Sequence, residues 1–452
     1  MAANARRLAV EALVRIHQEG SYSNTVLDAM LNSGGRGYKL TSADQALLSR
    51  LYYGVLERLL TLDYIIEQHS SVKLKKINPV VLELLRLGCY QLVYMDKIPP
   101  SAAVNESVKL AKVMRQGRSS GYINAVLRAI ERGRSHLLDD LTNDIKGLSI
   151  KTSCPVELLK LWKNAYGEEN TRLLAEYVNG NPPNTIRVNT LKMTANAFEE
   201  LLTTKGLAYK KHPHLASCFD LVEVASIKRL AQIDQSCYYH QDTASQYACK
   251  SLEAQPGESI ADVCAAPGGK SLTIAQMMEN KGEILSSDIH SYKCDGMEKR
   301  AYMMGASIIR TAIRDASEPC PESLTGSFDR VLCDVPCSGL GVIRRKPEIR
   351  YKPIGSFKEL PELQYKILHE SSKMVKDGGV LQYSTCTLNP AENEHVAERF
   401  LKEHTNFSPR ILQLRECFDV LSSKPSHMIS LFPHIHNTDG FFIAGFIKTQ
   451  TI

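Results

Sequence analysis

Ser259-Ile-Ala-Asp-Val-Cys-Ala-Ala-Pro-Gly-Gly-Lys-Ser271 constrains this chain more than any other stretch. Ile260 to Cys264 is a short apolar run suited to a buried strand. Pro267-Gly268-Gly269 lets the backbone turn tightly and approach a ligand, and Lys270 to Met278 has helix-forming composition. A strand, a glycine turn and a helix in that order predict the first turn of a doubly wound sheet, where ligands bind at the carboxyl edge. A P-loop is excluded because position 264, where it needs glycine, is cysteine, and the dinucleotide pattern G-x-G-x-x-G is absent. Glu283-Ile-Leu-Ser-Ser-Asp288 follows as a second strand ending in a carboxylate, about twenty residues past the glycines, where an acid meets ribose hydroxyls. The pair of features predicts an adenosyl ligand without phosphates.

Around this centre the chain divides. Its 452 residues are too many for one core. No apolar run reaches membrane-spanning length and the start lacks a signal-peptide core, so a cytoplasmic protein is expected. The twelve cysteines are scattered without a C-x-x-C pair, which predicts reduced thiols and no zinc site. His212, His214, His434 and His436 lack cysteine or carboxylate partners at ligand spacing, and no metal is expected. The whole net charge of +6 falls in residues 1–140, with 19 Lys and Arg against 13 Asp and Glu. On charge alone, a solvated helical face and a nucleic-acid surface are equal readings.

Residues 5–133 read as successive amphipathic helices: Ala9, Leu13 and Ile16 form one stripe, Leu48, Leu51, Val55 and Leu59 another, and Asn78-Pro79 opens a third. Residues 134–180 read as a looser, partly helical connector. Thr185 to Thr190 and Phe219 to Val224 are expected strands flanking a helix from Ala195 to Lys205, with Arg187 and Asn189 on one strand face, open to solvent or to RNA. After Asp288, strands are expected over Ser307 to Ala312, Phe328 to Asp334 and Val380 to Thr385. An amphipathic helix over Glu359 to Lys376, with Leu360, Leu363, Ile367 and Met374 inward, would be closed by Gly378-Gly379. A terminal hairpin is expected around Asn437-Thr-Asp-Gly440. The organisation predicted is an all-α domain over 1–140, connector helices and a small α/β (RRM-like) subdomain over 141–235, and an α/β class I (Rossmann-like) domain over 236–452.

Two sets of residues carry a family resemblance. Arg7-Leu-Ala-Val-Glu-Ala-Leu, Asp44 to Gly54 and Pro100 to Val108 resemble the NusB-type RNA-binding fold, which implies that Arg6, Arg7 and the basic helix Lys109 to Arg118 touch RNA phosphates. Cys264 to Lys270, Asp334-Val-Pro-Cys-Ser-Gly-Leu-Gly341 with the run to Arg350, Ser384-Thr-Cys-Thr387 and Asp439 to Ala444 resemble the RNA cytosine-5 methyltransferases of the Sun/Nol family, in its bacterial branch that acts on 16S ribosomal RNA. Val335, Thr387 and Asp234-Gln-Ser-Cys237 depart from that pattern without removing a reacting atom.

A monomer is expected, and the resemblance implies a class I fold binding S-adenosyl-L-methionine and a ribosomal RNA partner. It implies Cys386 as the thiolate that adds to carbon-6 of cytosine, Asp334 as the holder of the base edge, and Cys337 as the group assisting proton loss from carbon-5. The cofactor set it implies is Cys264, Ala265, Ala266, Pro267, Gly268, Gly269, Lys270, Asp288, Asp315 and Asp334. Asp288 would take the ribose and Asp315 the adenine, each with a helix cap as the other reading, and Lys270 is alternatively a salt-bridge partner within the loop. Arg344, Arg345 and Lys346 are open to RNA backbone or to solvent. A DNA enzyme with Cys337 as nucleophile, and a non-catalytic RNA-binding assembly factor, are the competing readings.

Overall fold

A computed structural model describes residues 5–19, 23–32, 40–223, 226 and 229–449. Internal contacts divide the chain into two units, one of residues 1–179 with 345–352, the other of residues 180–344 with 353–452.

The first unit is helical. Apolar residues spaced three and four apart on the helices at Ala5–Glu19, Ser42–Glu57, Leu59–His69, Pro79–Tyr94, Pro100–Val113 and Ser120–Arg132 close over one core that includes Ala9, Leu13, Leu48, Leu51, Val55 and Leu84. Local chemistry sets the helix starts: Thr41 and Asp44 form a reciprocal capping box, and the Asn78 side chain accepts from the Val80 amide with Pro79 in the first turn. The connector is more ordered than expected, with helices at Ile145–Thr152, Val156–Tyr166 and Glu168–Tyr177 that bury Leu158, Leu159, Trp162 and Leu174. The basic helix expected to reach Arg118 ends at Val113, because Arg115 enters the left-handed region at φ 60°.

Residues 345–352 complete this unit although they lie far along the chain. Arg350, 1% exposed, donates to Asn179 Oδ1 at 2.8 Å and to the Val178 carbonyl at 3.2 Å; Tyr351 donates to the Leu56 carbonyl at 2.8 Å. The Glu348 carboxylate accepts from the Ser23 amide at 3.0 Å.

The second unit holds two sheets. β1 (Asn184–Val188), β2 (Tyr209–Lys211), β3 (Cys218–Leu221) and β4 (Tyr238–His240) form an antiparallel sheet in the order β2-β3-β1-β4. The expected strand end at Val224 lies outside the described residues. β1 is therefore interior, and its polar residues are neither at a solvent edge nor free for RNA. Arg187 donates to Gln276 and Gln246, both at 3.1 Å, and the fully buried Asn189 donates to the Ser236 and Met304 carbonyls, both at 2.8 Å.

The larger sheet comprises β5 (Ser259–Asp262), β6 (Glu283–Asp288), β7 (Ile309–Ile313), β8 (Phe328–Asp334), β9 (Val375–Thr385), β10 (Phe407–Pro409), β11 (Met428–Leu431) and β12 (Phe441–Lys448). Its order is β10-β12-β9-β8-β5-β6-β7, with β11 also paired to β12. β5 to β9 are parallel, whereas β10, β11 and β12 pair antiparallel, the expected terminal hairpin among them. This is the doubly wound Rossmann-like fold that the βα alternation predicts, and it brings the ends of β5, β6, β8 and β9 to one edge. One boundary differs. The helix expected over Glu359–Lys376 spans Leu360–Ser372, and Gly378-Gly379 lie inside β9, with Gly378 at φ 78°. Leu363 is 38% exposed rather than inward; Leu368 is buried in the core with Ile367.

Candidate functional site

The glycine turn is built by short-range geometry. After β5, the Ala265 amide bonds the Ser287 carbonyl at 2.8 Å, and Gly268 N–H donates to the Ala265 carbonyl at 2.7 Å. Gly268 sits at φ 92°, where L side chains are rare, and a Cβ there would lie 3.2 Å from Met297 Cγ. The helix Gly269–Met277 starts at once. Beside the turn lies a cavity of about 340 Å³ lined by residues that include Ala266, Pro267, Tyr292, Lys293 and Met297.

The carboxylates expected on this side take local partners. Asp288, at the end of β6 and 9% exposed, accepts from the His290 amide at 3.0 Å through Oδ1, with Lys293 Nζ at 3.4 Å. Asp315 accepts at Oδ1 from both the Ser317 hydroxyl, at 2.7 Å, and the Ser317 amide, at 2.9 Å. Those bonds hold its carboxyl below the usual range.

The other side is joined over long sequence distances. β8 delivers Asp334, whose Oδ2 accepts from Lys270 Nζ at 2.6 Å and whose Oδ1 accepts from Ser384 Oγ at 2.9 Å. Lys270 also reaches Ser245 Oγ at 3.3 Å and lies 5.3 Å over the Phe441 ring. Burial opposes its charge, but the Asp334 carboxylate outweighs that and holds the ammonium firmly protonated. The salt bridge Lys270 makes is not within its own loop: its partner is Asp334, at the end of β8. Beneath it, Asp262 is fully buried; Ser271 Oγ donates to its Oδ2 at 2.7 Å, and Oδ1 has no hydrogen-bond partner among the described residues. Burial pushes the Asp262 carboxyl up to about 7.

The two cysteines meet. Cys337, three residues past β8, and Cys386, just past β9, have their sulfurs 3.2 Å apart. The Cys337 thiol is pushed well above the usual thiol range, first by its hydrogen bond with Cys386 and then by burial. Cys264 is likewise pushed up by burial, which marks it as an inert thiol. Backbone bonds fix the corner: the Gly341 amide to the Cys386 carbonyl at 3.0 Å, and the Val335 amide to the Ser384 carbonyl at 3.0 Å.

The basic residues distribute differently from expectation. Arg344, 6% exposed, donates to the Thr438 carbonyl at 3.0 Å, so it braces the loop before β12 and does not face solvent or RNA. In the helical unit, Arg6 donates to the buried Gln91 at 2.7 Å and Arg7 to Glu11 at 2.8 Å. Lys112, Arg115 and Arg118 are exposed. Ser384, Asp262 and Glu392 were not singled out by sequence. Ser384 stands in the stretch Ser384-Thr-Cys-Thr387, but its partner Asp334 lies 50 positions away.

Comparison with known proteins identifies the family of the chain. Residues 249–447 match the family model for the 16S rRNA methyltransferase RsmB/F, residues 3–132 the NusB family, and residues 154–228 the RsmF/B-like ferredoxin-like domain. The chain is 35% identical, over 98% of both chains, to a probable ribosomal RNA small subunit methyltransferase B of Bacillus subtilis (strain 168). Among solved structures, PH0851 aligns with a TM-score of 0.80 at 23% identity over 99% of this chain and 100% of that one. A methyltransferase homologue from Pyrococcus horikoshii aligns with a TM-score of 0.58 at 27% identity, over 68% of this chain and 100% of that one.

Proposed function

Because the chain belongs to the 16S rRNA methyltransferase RsmB/F family, we propose that it methylates carbon-5 of a cytidine in 16S ribosomal RNA through a covalent adduct with Cys386. The observation that carries the reading is the meeting of the Cys337 and Cys386 sulfurs at 3.2 Å, on the edge that also holds the Asp334–Lys270 pair.

S-adenosylmethionine supplies an electrophilic methyl group when bound. The donor set fits its nucleoside: the turn from Cys264 to Gly269 offers close backbone approach without a phosphate cradle, and Asp288 Oδ2 has no hydrogen-bond partner among the described residues. Asp288 holds the ribose hydroxyls. Asp315, tied down through Oδ1, keeps Oδ2 for the adenine amino group. Lys270 serves this set indirectly, through Asp334.

Carbon-5 of cytosine becomes nucleophilic once a thiolate adds to carbon-6. Cys386 makes that bond. Asp334, oriented by Lys270 and Ser384, accepts hydrogen bonds from the amino group and from the ring nitrogen, which takes up the proton that Cys386 gives up, as charge develops there. Its hydrogen bond with Cys386 and its burial hold the Cys337 thiol well above the usual range, which argues against Cys337 as the nucleophile of a DNA-type mechanism. When the Cys386 sulfur is bound to carbon, the first cause of that high pKa is gone. Cys337, its thiol proton passed to water, accepts the carbon-5 proton; the carbon-5 bonding pair forms the ring double bond, and the carbon-6–sulfur pair returns to Cys386. The base reaches buried sulfur only when unpaired or flipped out of its stack.

Methyl transfer from radiolabelled S-adenosylmethionine to small-subunit RNA, bare and within particles, tests this with the intact chain and Cys386→Ala. Label recovered as 5-methylcytidine with the intact chain only is expected. Equal label from both proteins, or none from either, overturns the proposal.

A further inference from the structure

One carboxylate frames both cysteine loops without entering the chemistry described above. Glu392 is fully buried, on the turn between β9 and the helix Glu394–Glu403. Its Oε2 accepts from the Ser338 amide at 2.8 Å and from Gln364 Nε2 at 2.9 Å. Its Oε1 accepts from the Ser338 hydroxyl at 2.5 Å and from Asn389 Nδ2 at 2.8 Å. Gln364 Nε2 also donates to the Pro336 carbonyl at 2.9 Å. The residues on both sides of Cys337 are thus held by Glu392 or by its partner.

The frame continues to the second cysteine. Ser338 Oγ and Thr387 Oγ1 are 2.7 Å apart. Ser338 has one hydroxyl proton and spends it on the carboxylate, so Thr387, the residue after Cys386, is the donor between them. Thr387 Oγ1 in turn accepts from the Leu340 amide at 3.3 Å, and the Tyr383 hydroxyl donates to the Glu392 carbonyl at 2.5 Å. A buried carboxylate is costly unless donors surround it, and here four do.

We propose that Glu392 is a positioning residue that clamps the Cys337 loop to the Cys386 loop, keeping the Cys337 sulfur within reach of the carbon-5 proton once Cys386 is bound to carbon-6. The inference rests on the reading of Cys386 as nucleophile and Cys337 as proton acceptor. It locates the function of Glu392 in one step, breakdown of the adduct, and leaves donor binding and adduct formation to other residues. A glutamine in its place turns an amino group toward two of the four donors, so the Cys337 loop loses its hold while side-chain volume is kept.

The test uses the full chain, radiolabelled S-adenosylmethionine and small-subunit RNA, comparing intact protein, Cys337→Ala and Glu392→Gln. kcat, KM for RNA and the fraction of protein in a covalent RNA adduct on denaturing gels are the readouts. Glu392→Gln is expected to lower kcat about 10- to 100-fold, leave KM within about twofold, and accumulate adduct as Cys337→Ala does. A kcat and adduct level within about twofold of the intact chain overturns the inference, as does joint loss of adduct and turnover. If Glu392→Gln does not fold, Ser338→Ala, which removes the hydroxyl's bonds to Glu392 and Thr387 but keeps the Ser338 amide bond to Glu392, must show the same pattern to a smaller extent; unchanged turnover and adduct in that variant also overturn it. An intact chain that forms no adduct and transfers no methyl sinks the functional reading itself, whereas an active intact chain beside an unaffected variant sinks only the role of Glu392.

Discussion

At the β6–β7 end of the sheet edge, Asp288 and Asp315 take hydrogen bonds from residues two positions ahead. At the β8–β9 end, Asp334 takes them from Lys270 and Ser384, 64 and 50 positions away. The nucleoside side of the site is made of turns that each segment forms by itself, with a backbone bond between Ala265 and Ser287 as the main tie. The thiol side exists only when five separate stretches of chain have met. A site built the first way tolerates loss of one partner, because the remaining turn keeps its shape. Loss at the second kind removes a strut shared by several groups.

That contrast makes quantitative expectations. Cys386→Ala is expected to abolish adduct formation and lower turnover by about a thousandfold or more, while donor binding by calorimetry stays intact; loss of donor binding would merge the two sides into one unit. Lys270→Met should lower kcat about 100-fold by leaving Asp334 without its cation, with KM for the donor little changed. If instead KM for the donor rises and kcat holds, Lys270 belongs to the nucleoside side.

Asp262 lies where the two sides join and gives a pH-dependent comparison. Its folded pKa of about 7 lies above its ordinary 3.8, so between those values the folded chain holds a proton that the unfolded chain releases. Stability therefore falls as pH rises through that window and stays lower above it. Asp262→Asn, which carries no charge, should match the intact chain near pH 4 and exceed it by about 4 kcal/mol at pH 8 in denaturant melts. An advantage independent of pH would show that the carboxyl is not the titrating group. The smallest effect is expected at Asp288→Ala: donor affinity about tenfold weaker, with kcat at saturating donor retained.

The same division decided what could be read in advance. The Pro267-Gly268-Gly269 turn, the Asn78 cap and the βα alternation follow from residues close in sequence, and they appear where composition places them. Arg344, Arg187 and Asn189 looked like polar surface because their partners lie far away; Arg344 bonds a carbonyl 94 positions on. Gly378-Gly379 resembles a helix stop by local rules, yet it forms the irregular step in β9 between the β8 pairings of Val375 and Val380. Glu392 was invisible for the same reason. A glutamate two residues past a proline reads as a helix start, and only the meeting of Ser338, Gln364 and Asn389 gives it a buried environment.

The stretch 345–352 bears on the order in which the protein matures during synthesis. The helical unit is encoded mostly in the first 179 codons, but the donors of Arg350 and Tyr351 reach its carbonyls only after more than three quarters of the chain has been translated. Until then the Val178 and Leu56 carbonyls must be served by water. The unit encoded first is thus finished late, so a nascent chain arrested near residue 340 should expose its helical part to protease more readily than one released at full length.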